Sequence, residues 1–112
     1  MYYRLVFSFV FVGLTWFANA QNKVILEAQT SFESGRYCEA AEKCGLAYTK
    51  LKRKGNQAKR IKADMAFKTA ESYRFTDRFR DANEWYERAL LLDYQETVPE
   101  VLYYNGEMLR MM

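Results

Sequence analysis

The stretch that decides the fold is GRYCEAAEKCGLAY, residues 35–48, because it returns 42 positions later as DRFRDANEWYERAL, residues 77–90. Gly35 falls on Asp77, Arg36 on Arg78, Tyr37 on Phe79, Glu39 on Asp81 and Ala40 on Ala82. Glu42 then meets Glu84, Cys44 meets Tyr86 and Ala47 meets Ala89. Offsets of three, four and seven put Tyr37, Ala40, Cys44 and Ala47 on one face of a helix, and Phe79, Ala82, Tyr86 and Ala89 repeat that stripe. Small alanines let a neighbouring helix approach closely, while the bulkier residue fills the gap beside them.

A second match links the helices between. AFKTAESYRF, residues 66–75, reappears 36 positions on as LYYNGEMLRM, residues 102–111, with Phe67 on Tyr103, Ala70 on Gly106, Glu71 on Glu107 and Arg74 on Arg110. The chain therefore alternates two helix types, expected near 22–34, 36–53, 58–75, 79–93 and 99–112. Composition agrees. One proline, Pro99, and five glycines punctuate 112 residues, too few for an all-β chain.

The first twenty residues stand apart. Arg4 precedes an apolar run from Leu5 to Phe17, and Ala18-Asn19-Ala20 is a small-x-small cleavage site before Gln21. That is the layout of a secretory signal peptide. The competing reading is an uncleaved anchor, but the run is short for a span of about 20 residues. Of 17 basic and 14 acidic residues only Arg4 lies before Gln21, so the remainder carries a net charge of +2. Such a balance gives no reason to expect a nucleic-acid partner.

The small, aromatic and alanine pattern resembles the tetratricopeptide repeat (TPR) family. The unit at residues 63–96 carries it in Ala70, Tyr73, Phe79, Ala82, Tyr86 and Ala89; the unit at 21–54 carries it in Ala28, Tyr37, Ala40 and Ala47. The first unit departs where Ser31, followed by Phe32, stands for the tyrosine, and a partial unit opens at Pro99 and spans 99–112. The resemblance implies an all-α, TPR-type helical-hairpin solenoid of about two and a half repeats over residues 21–112, after a cleaved signal peptide at 1–20. The eight residues added between the units fall around LKRKGNQAKRIK, residues 51–62, and amount to about two helical turns. Gly55-Asn56 is the expected turn there. Pro99 suits the first turn of the last helix.

In the TPR family the first helices of the pairs line a concave groove that holds extended peptides or partner helices. Matched onto this chain, that face carries Asn22, Ile25, Gln29, Phe32 and Glu33, then Asp64, Phe67, Glu71, Arg74 and Phe75, and finally Glu100, Tyr103, Glu107, Arg110 and Met111. The resemblance thus implies a non-catalytic protein–protein interaction module, with a protein or peptide partner in the periplasm or cell envelope. The alternative is a structural spacer, or the N-terminal part of a larger envelope protein. Signal peptide, cut site and N-terminal repeats resemble the layout of exported proteins in which TPR units precede a β-propeller and an OmpA-like domain, some associated with type IX secretion and gliding. Glu71 and Arg74, three residues apart, can also simply pair with each other.

Cys38 and Cys44 are the only cysteines. Six residues apart on a helix, they are separated by about 9 Å of rise and roughly 120° of rotation, outside disulfide reach. Cys44 occupies the slot of Tyr86 and should be core. Cys38 occupies that of Arg80 and should face outward, as a free thiol or paired with another chain. No histidine is present, which removes the commonest general base and any Ser-His or Cys-His pair. Two wrongly spaced cysteines do not suggest a metal site. We expect neither enzyme nor cofactor.

Lys50, Lys52, Arg53, Lys54, Lys59, Arg60 and Lys62 form a run with no acidic residue from 50 to 62. It reads either as a contact for an anionic surface or as a solvated hairpin tip whose charges complement a helix C-terminus. At the other end, Leu102, Met108 and Leu109 would offer apolar surface to a further helix. A repeat stack normally finishes with a polar cap, so the expectation is a longer chain, self-association through this helix, or docking.

Overall fold

The computed structural model describes residues 22–51 and 55–112, which are all-helical. The signal-peptide reading of 1–20 and the basic residues Lys52, Arg53 and Lys54 lie outside the described residues. Helix α1 covers residues 22–33, α2 runs Tyr37–Lys50, α3 Asn56–Phe75, α4 Phe79–Leu91 and α5 Glu100–Met111, with a 3₁₀ turn at Tyr94–Glu96 before α5. No helix among the described residues is long and apolar enough to cross a membrane.

The first repeat reappears in three dimensions in the pair of bonds that closes each corner. At the end of α1, Gly35 N–H donates to Phe32 O and Arg36 N–H to Ser31 O; at the end of α3, Asp77 N–H donates to Arg74 O and Arg78 N–H to Tyr73 O. Both corners are Schellman motifs, closed by a left-handed residue, Gly35 at φ 77° and Asp77 at φ 61°. Arg36 and Arg78 then share nearly one backbone conformation, ψ 71° in each. Each pairs its guanidinium with the acid three residues on, Glu39 at 3.3 Å and Asp81 at 2.8 Å.

Burial follows the predicted stripes. Ala40, Cys44 and Ala47 are buried in α2, and Ala82, Tyr86 and Ala89 in α4. Cys38 is exposed and Cys44 buried, both as free thiols. Gly45 and its helix lie against Trp85 of α4, where a Cβ would meet the indole at 3.5 Å. Helix α3 is packed on two sides. Met65 joins Ala28, Cys44, Ala47 and Leu51, while Ala63, Ala66 and Ala70 join Ala82, Tyr86 and Ala89.

Three expectations are corrected. The helix expected near 36–53 closes earlier, with Leu51 already extended at its C-terminus. Asn56 is not a turn residue: Gly55, at φ 120°, precedes the helix and Asn56 opens α3. The added residues thus lengthen α3, with 20 residues against 14 in α2. Met108 is buried, because with Val101 it packs inward on the α4 side while Leu102 and Leu109 remain exposed.

Candidate functional site

Helix α1, the N-terminal extension of α3 and the turn after α4 enclose a cleft of about 540 Å³. Its lining is Asn22, Ile25, Leu26 and Gln29 from α1, Arg60, Ile61 and Asp64 from α3, and Tyr94 and Thr97 from the turn. The geometry follows from local structure. Asn22, Ile25, Leu26 and Gln29 are spaced by three, one and three, one helical face. Arg60, Ile61 and Asp64 do the same on α3. Asp93, left-handed at φ 60°, reverses the chain so that Tyr94 folds back onto α3, and its hydroxyl donates to Asp64 Oδ1 at 2.7 Å.

The cleft has an apolar body and a polar edge. Ile25, Leu26, Ile61 and the Tyr94 ring supply the first, and the amides of Asn22 and Gln29 with the Arg60 guanidinium the second. Asp64 is already engaged, since its other oxygen accepts from Lys68 Nζ at 2.6 Å. Burial, reinforced by the hydrogen bond to Asp64, pushes the Tyr94 hydroxyl well above its ordinary value. It therefore stays a neutral donor that holds the wall in place.

Of the predicted groove residues, Ile25, Gln29 and Asp64 come together here, from two different units. Asn22 joins them from the same face of α1, and the other predicted residues do not line the cleft. Phe32 and Phe75 both pack on Tyr37, with centroids at 5.9 and 4.7 Å. Phe67 stands half-buried between Tyr94, 5.0 Å away, and Tyr86, 6.0 Å away. Glu71 is buried rather than groove-lining, because its carboxylate accepts from the Tyr86 hydroxyl and, at 2.6 Å, from Arg74. Arg74 also donates to Tyr86 Oη at 3.0 Å and lies over the rings of Phe75 and Tyr104. Tyr103, Glu107 and Arg110 stand on α5, Tyr103 exposed and Glu107 paired with Arg110 at 2.7 Å.

The described part of the basic run is partly neutralised. Lys59 Nζ pairs with Asp93 at 2.6 Å, and Lys62 sits over the Tyr48 ring. Lys50 ends α2, in the place where a cation suits the helix dipole. Arg60 is the member that reaches the cleft.

Leu26, Ile61, Tyr94 and Thr97 were not anticipated. An aromatic residue in a seven-residue connector was the available signal for Tyr94; for Ile61 it was the apolar residue within the basic run. No family model, curated protein or solved structure matches this chain.

Proposed function

We propose that the chain is a TPR-type repeat module, exported to the periplasm or cell envelope, that binds a segment of another protein without catalysis. The observation that carries this reading is the convergence of Ile25, Gln29 and Asp64, residues of two repeat units, on one cleft. Supporting it is the repetition of backbone hydrogen bonds, φ angles and ion pairs at a 42-residue spacing. Repeats of this kind stack so that equivalent helices share one face, and such faces are where repeat proteins bind. The cleft suits a segment presenting one or two apolar side chains to Ile25, Ile61 and Tyr94, with an acidic group beside Arg60.

A photoreactive amino acid at Gln29 tests the reading in the producing cell. A discrete adduct is expected there and not from the same group at Glu42, which is exposed on α2. Equal labelling at both positions, or none at Gln29, would remove the cleft from consideration. Export is tested separately, by the mass of the chain in the envelope fraction, expected to begin at Gln21.

A second reading, a piece of a larger envelope assembly, is favoured by the open outer face of α5, where Leu102 and Leu109 are exposed.

A further inference from the structure

The cleft does not end at Arg60. Beyond it lies a second hollow of about 390 Å³, lined by Asn56 and Lys59 of α3 and by Leu92, Asp93 and Glu96 after α4. Arg60 and Thr97 line both cavities, so they form a waist between two chambers of one trough. Its floor on α3 runs from Asn56 to Asp64, a helical length of about 12 Å.

The chambers differ in charge. In the apolar one, Asp64 is engaged by Tyr94 and Lys68. In the polar one, Lys59 pairs with Asp93 at 2.6 Å. That hydrogen bond, helped by the charge of Glu96, holds Lys59 above the usual lysine range. One cation beside two carboxylates leaves the polar chamber net negative. The ion pairs along the trough are Lys59–Asp93 and Lys68–Asp64, so Arg60, at the waist, is left without a carboxylate among the described residues. From one end to the other the trough therefore reads apolar, positive, negative. The amides of Asn22, Gln29 and Asn56 and the Thr97 hydroxyl border it. Such groups pair with a peptide backbone that has no partners of its own, which a helix does not offer.

Resting on the reading that the cleft binds a segment of another protein, we propose that this segment is extended and carries three anchors in a fixed order. They are an aliphatic residue, an acidic residue two positions on, and a basic residue two positions further. Alternate side chains of an extended segment share a face, and four steps of about 3.3 Å match the length of the trough. The aliphatic side chain lies against Ile25 and Ile61, the carboxylate meets the Arg60 guanidinium, and the basic group sits beside Asp93 and Glu96. Exchanging the two charges would set each against its like, and that fixes the order. Residues 1–21 and 52–54 contain no aspartate or glutamate, so neither stretch supplies the acidic anchor.

The probe is a fluorescein-labelled peptide, Gly-Ser-Leu-Ser-Asp-Ser-Lys-Ser-Gly, titrated with the full chain and followed by anisotropy. Saturable binding is expected. The isomer with Asp and Lys exchanged should bind more weakly by about tenfold or more. Arg60→Glu in the chain should lose the first peptide and take up Gly-Ser-Leu-Ser-Lys-Ser-Lys-Ser-Gly, which the wild type rejects. Damage to the fold cannot produce that exchange, and Arg60 is exposed, so the melting temperature should hold. Glu96→Lys, also at an exposed position, should weaken uptake of the first peptide. Three results overturn the proposal: no saturable binding at the solubility limit, equal affinity for the two isomers, or uptake that Arg60→Glu does not alter. Any of these beside an intermolecular adduct at Gln29 defeats the trough alone and leaves the cleft reading standing. No adduct at Gln29 defeats the cleft reading itself, and the trough with it. An adduct formed within the chain, at unchanged mass, overturns the proposal in favour of an internal occupant.

Discussion

The two helical hairpins share a backbone and differ in what fills it. Around Gly35 and around Asp77 the turn is the same to within the hydrogen bonds that close it. Above the first turn the buried bulky slot holds Cys44, whose thiol reaches no farther than the carbonyl of Ala28 at 3.6 Å. Above the second it holds Tyr86, tied to Glu71 and Arg74 and close to the rings of Phe67 and Tyr104. The lesson is that the repeat is carried by small residues and turns, which recur faithfully. The large side chain is free to specialise, and each hairpin acquires its own chemistry there.

The widest contrast lies in that slot. Tyr86→Ala should cost about 3–5 kcal/mol, as large aromatic truncations do, and would also leave Glu71 buried beside a cavity. Cys44→Ala, removing one small atom, should cost about 1–2 kcal/mol. Urea midpoints of the two variants measure the difference. Equal losses would mean that the slots are not distinct in energy, whatever fills them.

Alkali separates the hairpins in a second way. Burial pushes the Cys44 thiol from 9.0 up to about 11. The folded state therefore holds its proton where the unfolded chain has lost it. This contribution is whole below pH 9, is lost as pH rises from 9 to 11, and amounts to about 2–3 kcal/mol. Tyr86 and Tyr94, both raised chiefly by burial, act in the same sense at higher pH. Urea midpoints should fall between pH 9 and 11, and Cys44→Ala should flatten the first part of that fall. A wild-type curve level to pH 11 would contradict the burial of the thiol.

The turns themselves can be exchanged. Gly35→Ala forces a Cβ into the left-handed region at φ 77° and should cost about 1–2 kcal/mol. Asp77→Gly relieves the same strain at φ 61° and should be neutral or stabilising by a few tenths of a kcal/mol, roughly the span expected for glycine at such a site. If both changes destabilise equally, Asp77 is making an interaction that Gly35 lacks.

What the sequence made legible divides along the same line. Helix positions, buried alanines and the inward Cys44 all follow from spacing, because a small residue at a helix–helix contact has one reason to be there. Glu71 was ambiguous, since its pairing with Arg74 was readable from their separation but the hydroxyl above them, fifteen residues away, was not. The cleft was half legible. Ile25, Gln29 and Asp64 follow from the repeat, whereas Tyr94 reaches Asp64 only because Asp93 turns the chain back at φ 60°. No periodicity encodes that reversal. Met108 was misread because counting apolar residues on α5 does not say which side α4 will cover.

The smallest effect concerns two helical glycines in opposite situations. Gly45 is buried against Trp85, so a methyl there gains helix propensity but meets the indole at 3.5 Å, an ordinary contact that leaves little room for more. Gly106 is exposed on α5 with no neighbour within 4 Å, and in the matching place of α3 the chain carries Ala70. Glycine inside a helix costs about 0.5–1 kcal/mol relative to alanine, and among the described residues no close contact offsets that loss at Gly106. Gly106→Ala should raise the melting temperature by about 2–6 °C. Gly45→Ala should gain less than Gly106→Ala. If Gly106→Ala instead lowers the melting temperature, the outer face of α5 is already in contact with something, and the difference between a covered and an open helix disappears.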